Sequence, residues 1–116
     1  MNLVIHNQLK EATLSFKKLK KENPNSNFDN LKWNINSIGN SLTKKKKIQE
    51  AFQVFKFNAE ANPNWWVSIA GLAEIYEIQK DSLNAIENYQ KAILLNDNNE
   101  WNYNELMNKK IVKLKK

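Results

Sequence analysis

The sequence predicts an all-α chain, an α-solenoid of antiparallel helix pairs with about six helices. Three observations lead there. Breakers are scarce, with two Gly and two Pro in 116 residues, which favours a few long helices over many short strands. Apolar residues recur at helical spacing along most of the chain. The chain also repeats itself. When Ala51 is set on Ala85, an interval of 34 residues, Phe52 falls on Ile86, Phe55 on Tyr89, Ile35 on Ile69, Ile38 on Leu72 and Gly39 on Ala73. A period of this length belongs to stacked two-helix units, each too small to bury its apolar stripe alone.

The elements follow in order. A first helix is expected over about 3–21, with Leu9, Ala12, Phe16 and Leu19 on one face. Ala12, Phe16 and Pro24 precede Ala51, Phe55 and Pro63 by 39 residues, so this segment reads as the second half of an earlier repeat followed by a polar insertion, Asn-Pro-Asn-Ser-Asn. A second helix is expected over about 30–43, capped by Asp29 or Asn30. A four-lysine turn leads to a third over about 47–61, stopped by Asn62-Pro63-Asn64 because Pro disfavours helical geometry in the residue before it. A fourth covers about 65–78, and a fifth about 82–95 with Asp81 or Ser82 as cap. A sixth covers about 99–114, where Tyr103 and Leu106 continue the phase of Ile69 and Leu72. One structural domain then divides into a half-repeat and loop over 1–31, repeats over 32–65 and 66–99, and a partial or capping repeat over 100–116.

Small residues are expected where paired helices cross closely: Gly39 and Ala73 on one helix, Ala51 and Ala85 on its partner, with Phe55 and Tyr89 filling the space a turn further on and Ala92 continuing the stripe. Both ends leave apolar stripe without a partner helix, which makes self-association through the end helices an expectation.

Composition limits the function classes. Hydrophobic content of 41% and charged content of 26% describe a globular chain. Without cysteine there are neither disulfides nor thiolate metal sites. The apolar run Leu3-Val4-Ile5 is too short for a secretory leader, and no run reaches transmembrane length, so no membrane role and, by default, a cytoplasmic location are expected. The net charge is +6, yet all eighteen basic residues are Lys, beside twenty Asn. Missing Arg, and aromatics not interleaved with Lys44–Lys47 or with Lys109, Lys110, Lys113, Lys115 and Lys116, argue against nucleic acid as the partner. A solvated turn and a helix C-terminus that favours cations account for these clusters. The alternative is a basic adaptor for an acidic partner or nucleic acid.

No catalytic set emerges. Ser41-Leu42-Thr43-Lys44 matches a Ser-x-x-Lys nucleophile pattern, but the Ser falls near a helix end and the companion motifs of that chemistry are absent. His6 is the only histidine and has no second ligand for a metal. Glu74, Glu77 and Glu87 read as solvated or intrahelical pairing residues. No phosphate-binding glycine loop, cofactor, metal or small-molecule substrate is implied.

The residues at fixed phase resemble the tetratricopeptide repeat family. Ile35, Ile38, Gly39, Leu42, Ala51, Phe55 and Pro63 stand at its signature positions in 32–65, and Ile69, Leu72, Ala73, Tyr76, Ala85, Tyr89 and Ala92 in 66–99. Asn58 departs from the expected small residue and Asp97 from the expected Pro. The resemblance implies a right-handed superhelix, and a protein–protein interaction role with a peptide or partner domain held in the groove of the first helices of each pair. By family position that groove comprises Trp33, Asn36, Asn40, Ala70, Glu74, Trp101, Asn104 and Asn108. The family's Lys and Asn clamp for a C-terminal carboxylate is only partly matched, by Asn36 and Asn40. The stretch Ile35–Leu42, then Ala51–Glu60, then Pro63-Asn64, is also similar to the helical C-terminal tail of certain bacterial serine hydrolases of β-lactamase-like and esterase type. That likeness implies a non-catalytic appendage to an absent catalytic domain, with a periplasmic or secreted location.

Overall fold

The computed structural model describes residues 29–116. The helix expected over 3–21, its half-repeat and the polar insertion lie outside the described residues. Five helices follow one another: α1 Asp29–Lys44, α2 Ile48–Ala61, α3 Trp66–Ile78, α4 Ser82–Leu95 and α5 Tyr103–Leu114, with a 3-10 turn at Glu100–Asn102 before α5. The architecture is all-helical, with no strand among the described residues. None of these helices is long and apolar enough to cross a membrane.

Each helix packs chiefly on the next one along the chain. Helix α3 lies between α2 and α4, and its composition shows why. Trp66, Ser68, Ile69, Ala70, Gly71, Leu72, Ala73 and Ile75 are all buried, so α3 is buried over most of its circumference where the outer helices carry a single stripe. The outer stripes are narrower. In α1 they comprise Ile35 and Leu42, in α4 Ala85, Tyr89 and Ala92, and in α5 Met107 and Ile111.

The connections repeat with the sequence. After α1, Lys46 N donates to Thr43 O at 3.0 Å and Lys47 N to Leu42 O at 2.9 Å; after α3, Lys80 N donates to Glu77 O at 3.0 Å and Asp81 N to Tyr76 O at 2.9 Å. Both turns pass through a left-handed lysine, Lys46 at φ 61° and Lys80 at φ 64°. The ends of α2 and α4 also match, Asn62 N donating to Asn58 O and Asn96 N to Ala92 O, each at 2.8 Å. Every one of these pairs is offset by 34 residues. Glycine is the favoured residue at such helix ends because a Cβ is strained there. Lys80→Gly is therefore expected to stabilise the chain by about 1 kcal/mol, as is Lys46→Gly. Urea denaturation should show both midpoints raised.

The close crossings centre on one ring. The chain's two glycines, Gly39 of α1 and Gly71 of α3, face opposite parts of Phe55. A Cβ at Gly39 would lie 2.7 Å from Phe55 Cζ, and one at Gly71 would lie 2.7 Å from Cδ1. Ala51, Ala73, Ala85 and Ala92 are fully buried and let the neighbouring helices approach. The sequence pattern placed Gly39 at this crossing, but it did not point to Gly71. Asn58 fills the place of a small residue by bonding across the pair. It is fully buried, donates to Lys32 O at 3.2 Å and accepts from Asn62 Nδ2 at 2.9 Å.

Two registers differ from the expected ones. The last helix begins at Tyr103 and not near 99, because Asn99, Trp101 and Asn102 all have positive φ. The shift turns Met107 and Ile111 inward and leaves Leu106 42% exposed, so Leu106 does not repeat Leu72. Ile38 is 41% exposed, whereas Leu72 is buried. At α4 Asp81 is the cap, accepting from Asn84 N at 3.3 Å.

Candidate functional site

The four tryptophans form one connected edge at the starts of α1, α3 and α5. Trp33 meets Trp65 edge-on with centroids 4.8 Å apart, and Trp101 at 5.9 Å. Trp66 meets Trp101 at 5.2 Å and Tyr103 at 5.5 Å. Lys32 Nζ stands 4.6 Å over the Trp65 ring. Trp66 is buried and anchors the edge, while Trp33 is 40% and Trp101 62% exposed.

The position of Trp101 is costly and tightly held. Its φ of 60° and ψ of 15° are left-handed, a genuine outlier for a bulky residue and worth about 1–2 kcal/mol of strain. Asparagines hold the turn in place. Buried Asn96 accepts from Glu100 N at 2.9 Å through Oδ1 and donates to Asn104 Oδ1 at 3.1 Å; Asn104 Nδ2 returns a bond to Asn96 O at 2.9 Å, and Asn104 N donates to Asn99 Oδ1 at 3.0 Å. Glu100 Oε1 accepts from Trp66 Nε1 at 3.3 Å, which fastens the turn to α3. Strain retained in this way is found at sites of function more often than elsewhere.

Beside this edge lies a small cleft of about 140 Å³, lined by Asn36 and Asn40 of α1, Trp66, Val67, Ala70, Gly71 and Glu74 of α3, Trp101 of the turn and Tyr103 of α5. The cleft thus brings together Asn36, Asn40, Ala70, Glu74 and Trp101 of the groove expected from sequence, and Trp33 joins them through its ring contact. Asn104 is instead spent on the Asn96 network, and Asn108 lies apart with Glu105, Lys109 and Val112 on a shallow outer patch of α5. The packing residues Gly39, Ala51, Phe55, Ala73, Ala85, Tyr89 and Ala92 are all buried. Sequence reasoning missed Trp66, Val67, Gly71 and Tyr103 as cleft residues. Val67 shares the 34-residue phase of Trp33 and Trp101, but nothing in the periodicity says which side of a mostly buried helix borders a cleft.

Comparison of the chain with protein-family models, with curated proteins and with solved structures finds no match in any of the three.

The carboxylates near the cleft pair across helices. Tyr103 Oη donates to Glu74 Oε1 at 2.8 Å and Tyr89 Oη to Glu77 Oε1 at 2.7 Å. Lys110 Nζ lies 3.5 Å from Glu77 Oε1 and 3.3 Å from Tyr89 Oη, tying α3, α4 and α5 together. Glu74 and Glu77 therefore act between helices and not along them. Burial, reinforced by the Glu77 hydrogen bond and charge, pushes the Tyr89 phenol well above its ordinary value of 10.0. Burial and the Glu74 carboxylate raise Tyr103 likewise. Both phenols stay protonated as donors.

The unfolded chain ionises tyrosine at the ordinary value and the folded chain does not, so this contribution is complete below about pH 10 and drains away as pH rises further. For Tyr89 the loss is about 1.4 kcal/mol per pH unit. Thermal melts from about pH 9 to about pH 11 should show a shallower fall for Tyr89→Phe than for the parent chain, lysine titration being common to both. Among the described residues no group of His, Cys, Asp and Glu could hold a metal ion. Ser41 and Lys44 are both exposed at the end of α1.

Proposed function

We propose that this chain is a non-catalytic protein-interaction module of the tetratricopeptide type, which binds an extended peptide along the edge formed by alternate helices α1, α3 and α5. The observation that carries the reading is the juxtaposition at the cleft. Exposed Trp33 and Trp101 stand beside Asn36 and Asn40, whose side chains make no hydrogen bond among the described residues. Tryptophan is the residue most suited to anchoring a partner, and free amides can bond an extended backbone. Support for the repeat type comes from the 34-residue recurrence of the turn hydrogen bonds and from the packing of each helix on the next.

Selection from a displayed library of random peptides tests this. Selected peptides are expected to lose at least about tenfold in affinity on Trp101→Ala, as an anchor residue should, and to be indifferent to Leu83→Ala, which alters an 83% exposed side chain of α4. Peptides that bind both variants equally, or a selection that yields none, would overturn the reading. Binding that collapses between low and moderate salt would instead mark polyanion-like attraction.

A further inference from the structure

The cleft also carries information about what the peptide must contain. Three aromatic rings, Trp66, Trp101 and Tyr103, converge there with mutual centroid distances of 5.2 and 5.5 Å about Trp66. Two carboxylates stand with them: Glu74 in the lining, and Glu100 bonded to Trp66 Nε1. Each is held by a neutral donor through Oε1, the Tyr103 phenol or the Trp66 indole. Neither forms an ion pair among the described residues, whereas Glu77 is answered by Lys110 and Glu105 by Lys109. Other carboxylates among the described residues also form no ion pair; what sets Glu74 and Glu100 apart is that each is bonded to an aromatic residue of the same cleft. Burial first, and the Glu74 carboxylate with it, keeps the Tyr103 phenol protonated as the donor to that carboxylate. The edge already holds one ammonium on a ring face, Lys32 over Trp65. Aromatic faces and nearby carboxylates attract a cation together, the rings through their quadrupole and the acids through charge.

We infer that the cleft between Trp66, Trp101 and Tyr103 is a subsite for a cationic side chain, so that the bound peptide presents a lysine or arginine to Glu74 and Glu100. A volume of about 140 Å³ takes an ammonium or guanidinium head with its adjoining methylenes. The inference rests on the peptide-binding reading, but its test is separate from the library selection.

The probes are N-acetyl-lysine methylamide and N-acetyl-arginine methylamide, with the norleucine and glutamate analogues as neutral and acidic counterparts. The readout is the indole N–H signals of the full chain by nuclear magnetic resonance. Saturable shifts of the Trp66 and Trp101 signals are expected with the basic probes and not with the other two. Glu74→Gln and Glu100→Gln keep an acceptor for Tyr103 and Trp66 but remove the charge, so each should weaken the basic probes roughly fivefold, the upper range for a partly exposed charge pair. Glu105→Gln, on the outer face of α5, should change nothing.

Equal shifts from norleucine, or full affinity in both glutamine variants with unchanged thermal melts, would overturn the cationic subsite. The two ideas can fail apart. Selected peptides that depend on Trp101 but are not enriched in Lys or Arg sink the subsite and leave the module. Basic probes that bind where no peptide is selected leave the subsite and sink the peptide reading.

Discussion

Phe55→Ala is expected to lower the stability of the chain by about 3–5 kcal/mol, a large share of the total available to a domain of this size. Phe55 is 2% exposed, and its ring meets α1 at Gly39 and α3 at Gly71. Removing it opens a cavity shared by three helices, and the bare glycine backbones on either side offer no side chain to close it. The reverse change is also informative. Gly71→Ala places a methyl group 2.7 Å from two ring carbons, Cδ1 and Cε1. A helical glycine normally gains about 1 kcal/mol on becoming alanine, but overpacking a ring that cannot leave the core costs about 1–3 kcal/mol. Net destabilisation is therefore expected for Gly71→Ala, and the same for Gly39→Ala. Combining Gly71→Ala with Phe55→Leu, which shortens the side chain, should cost less than the sum of the two. Urea denaturation of the single and double variants checks this, and strict additivity would show that the ring and the glycine do not constrain each other.

Asn96→Ala is expected to cost about 2–3 kcal/mol and to weaken the proposed peptide binding in parallel. Asn96 is 1% exposed, and its amide serves Glu100 N, Glu100 O and Asn104 together. Alanine leaves those groups without partners at the point where the chain must hold Trp101 in a left-handed conformation. Once the restraint is gone, the strain at Trp101 can relax by moving its ring away from Trp66 and Trp33. Loss of stability alone would lower the melting temperature and spare the affinity of the folded fraction. Loss of Trp101 placement lowers that affinity as well, so a binding titration far below the melting range distinguishes the two. Asn88→Ala provides the comparison, since its amide only bonds back to Asn84 O on the exposed face of α4. It should change neither property.

The helices were legible because their causes are local. Helical periodicity, Asn62-Pro63 after α2 and Asp81 before α4 act within a few residues of themselves, so composition and spacing are enough to place them. The 34-residue interval was legible for the same reason, and it returns in the backbone bonds of both Lys turns. Of the candidate site, Asn36, Asn40, Ala70, Glu74 and Trp101 were grouped by the family resemblance, and the cleft brings those five together.

Tertiary structure decided what depends on contacts between distant residues. Periodicity could place Gly39 near a crossing, but only the packed helices set Gly71 on the other side of the same ring. Asn104 shared the phase of the groove, yet Asn96 claimed its amide from the preceding helix. Glu74 and Glu77 had the spacing of solvated residues until α4 and α5 brought phenols against them. Trp33, the Trp65–Trp66 pair and Trp101 are far apart along the chain, and the meeting of Trp101 with Trp33 and Trp66 depends on a left-handed conformation at Trp101 that no local preference of a bulky residue favours. Local preferences and period, then, were enough to determine the order of the described helices and most of their bounds. The aromatic edge and its acidic cleft required the packed structure, because the energy that holds them comes from neighbours brought together only by folding.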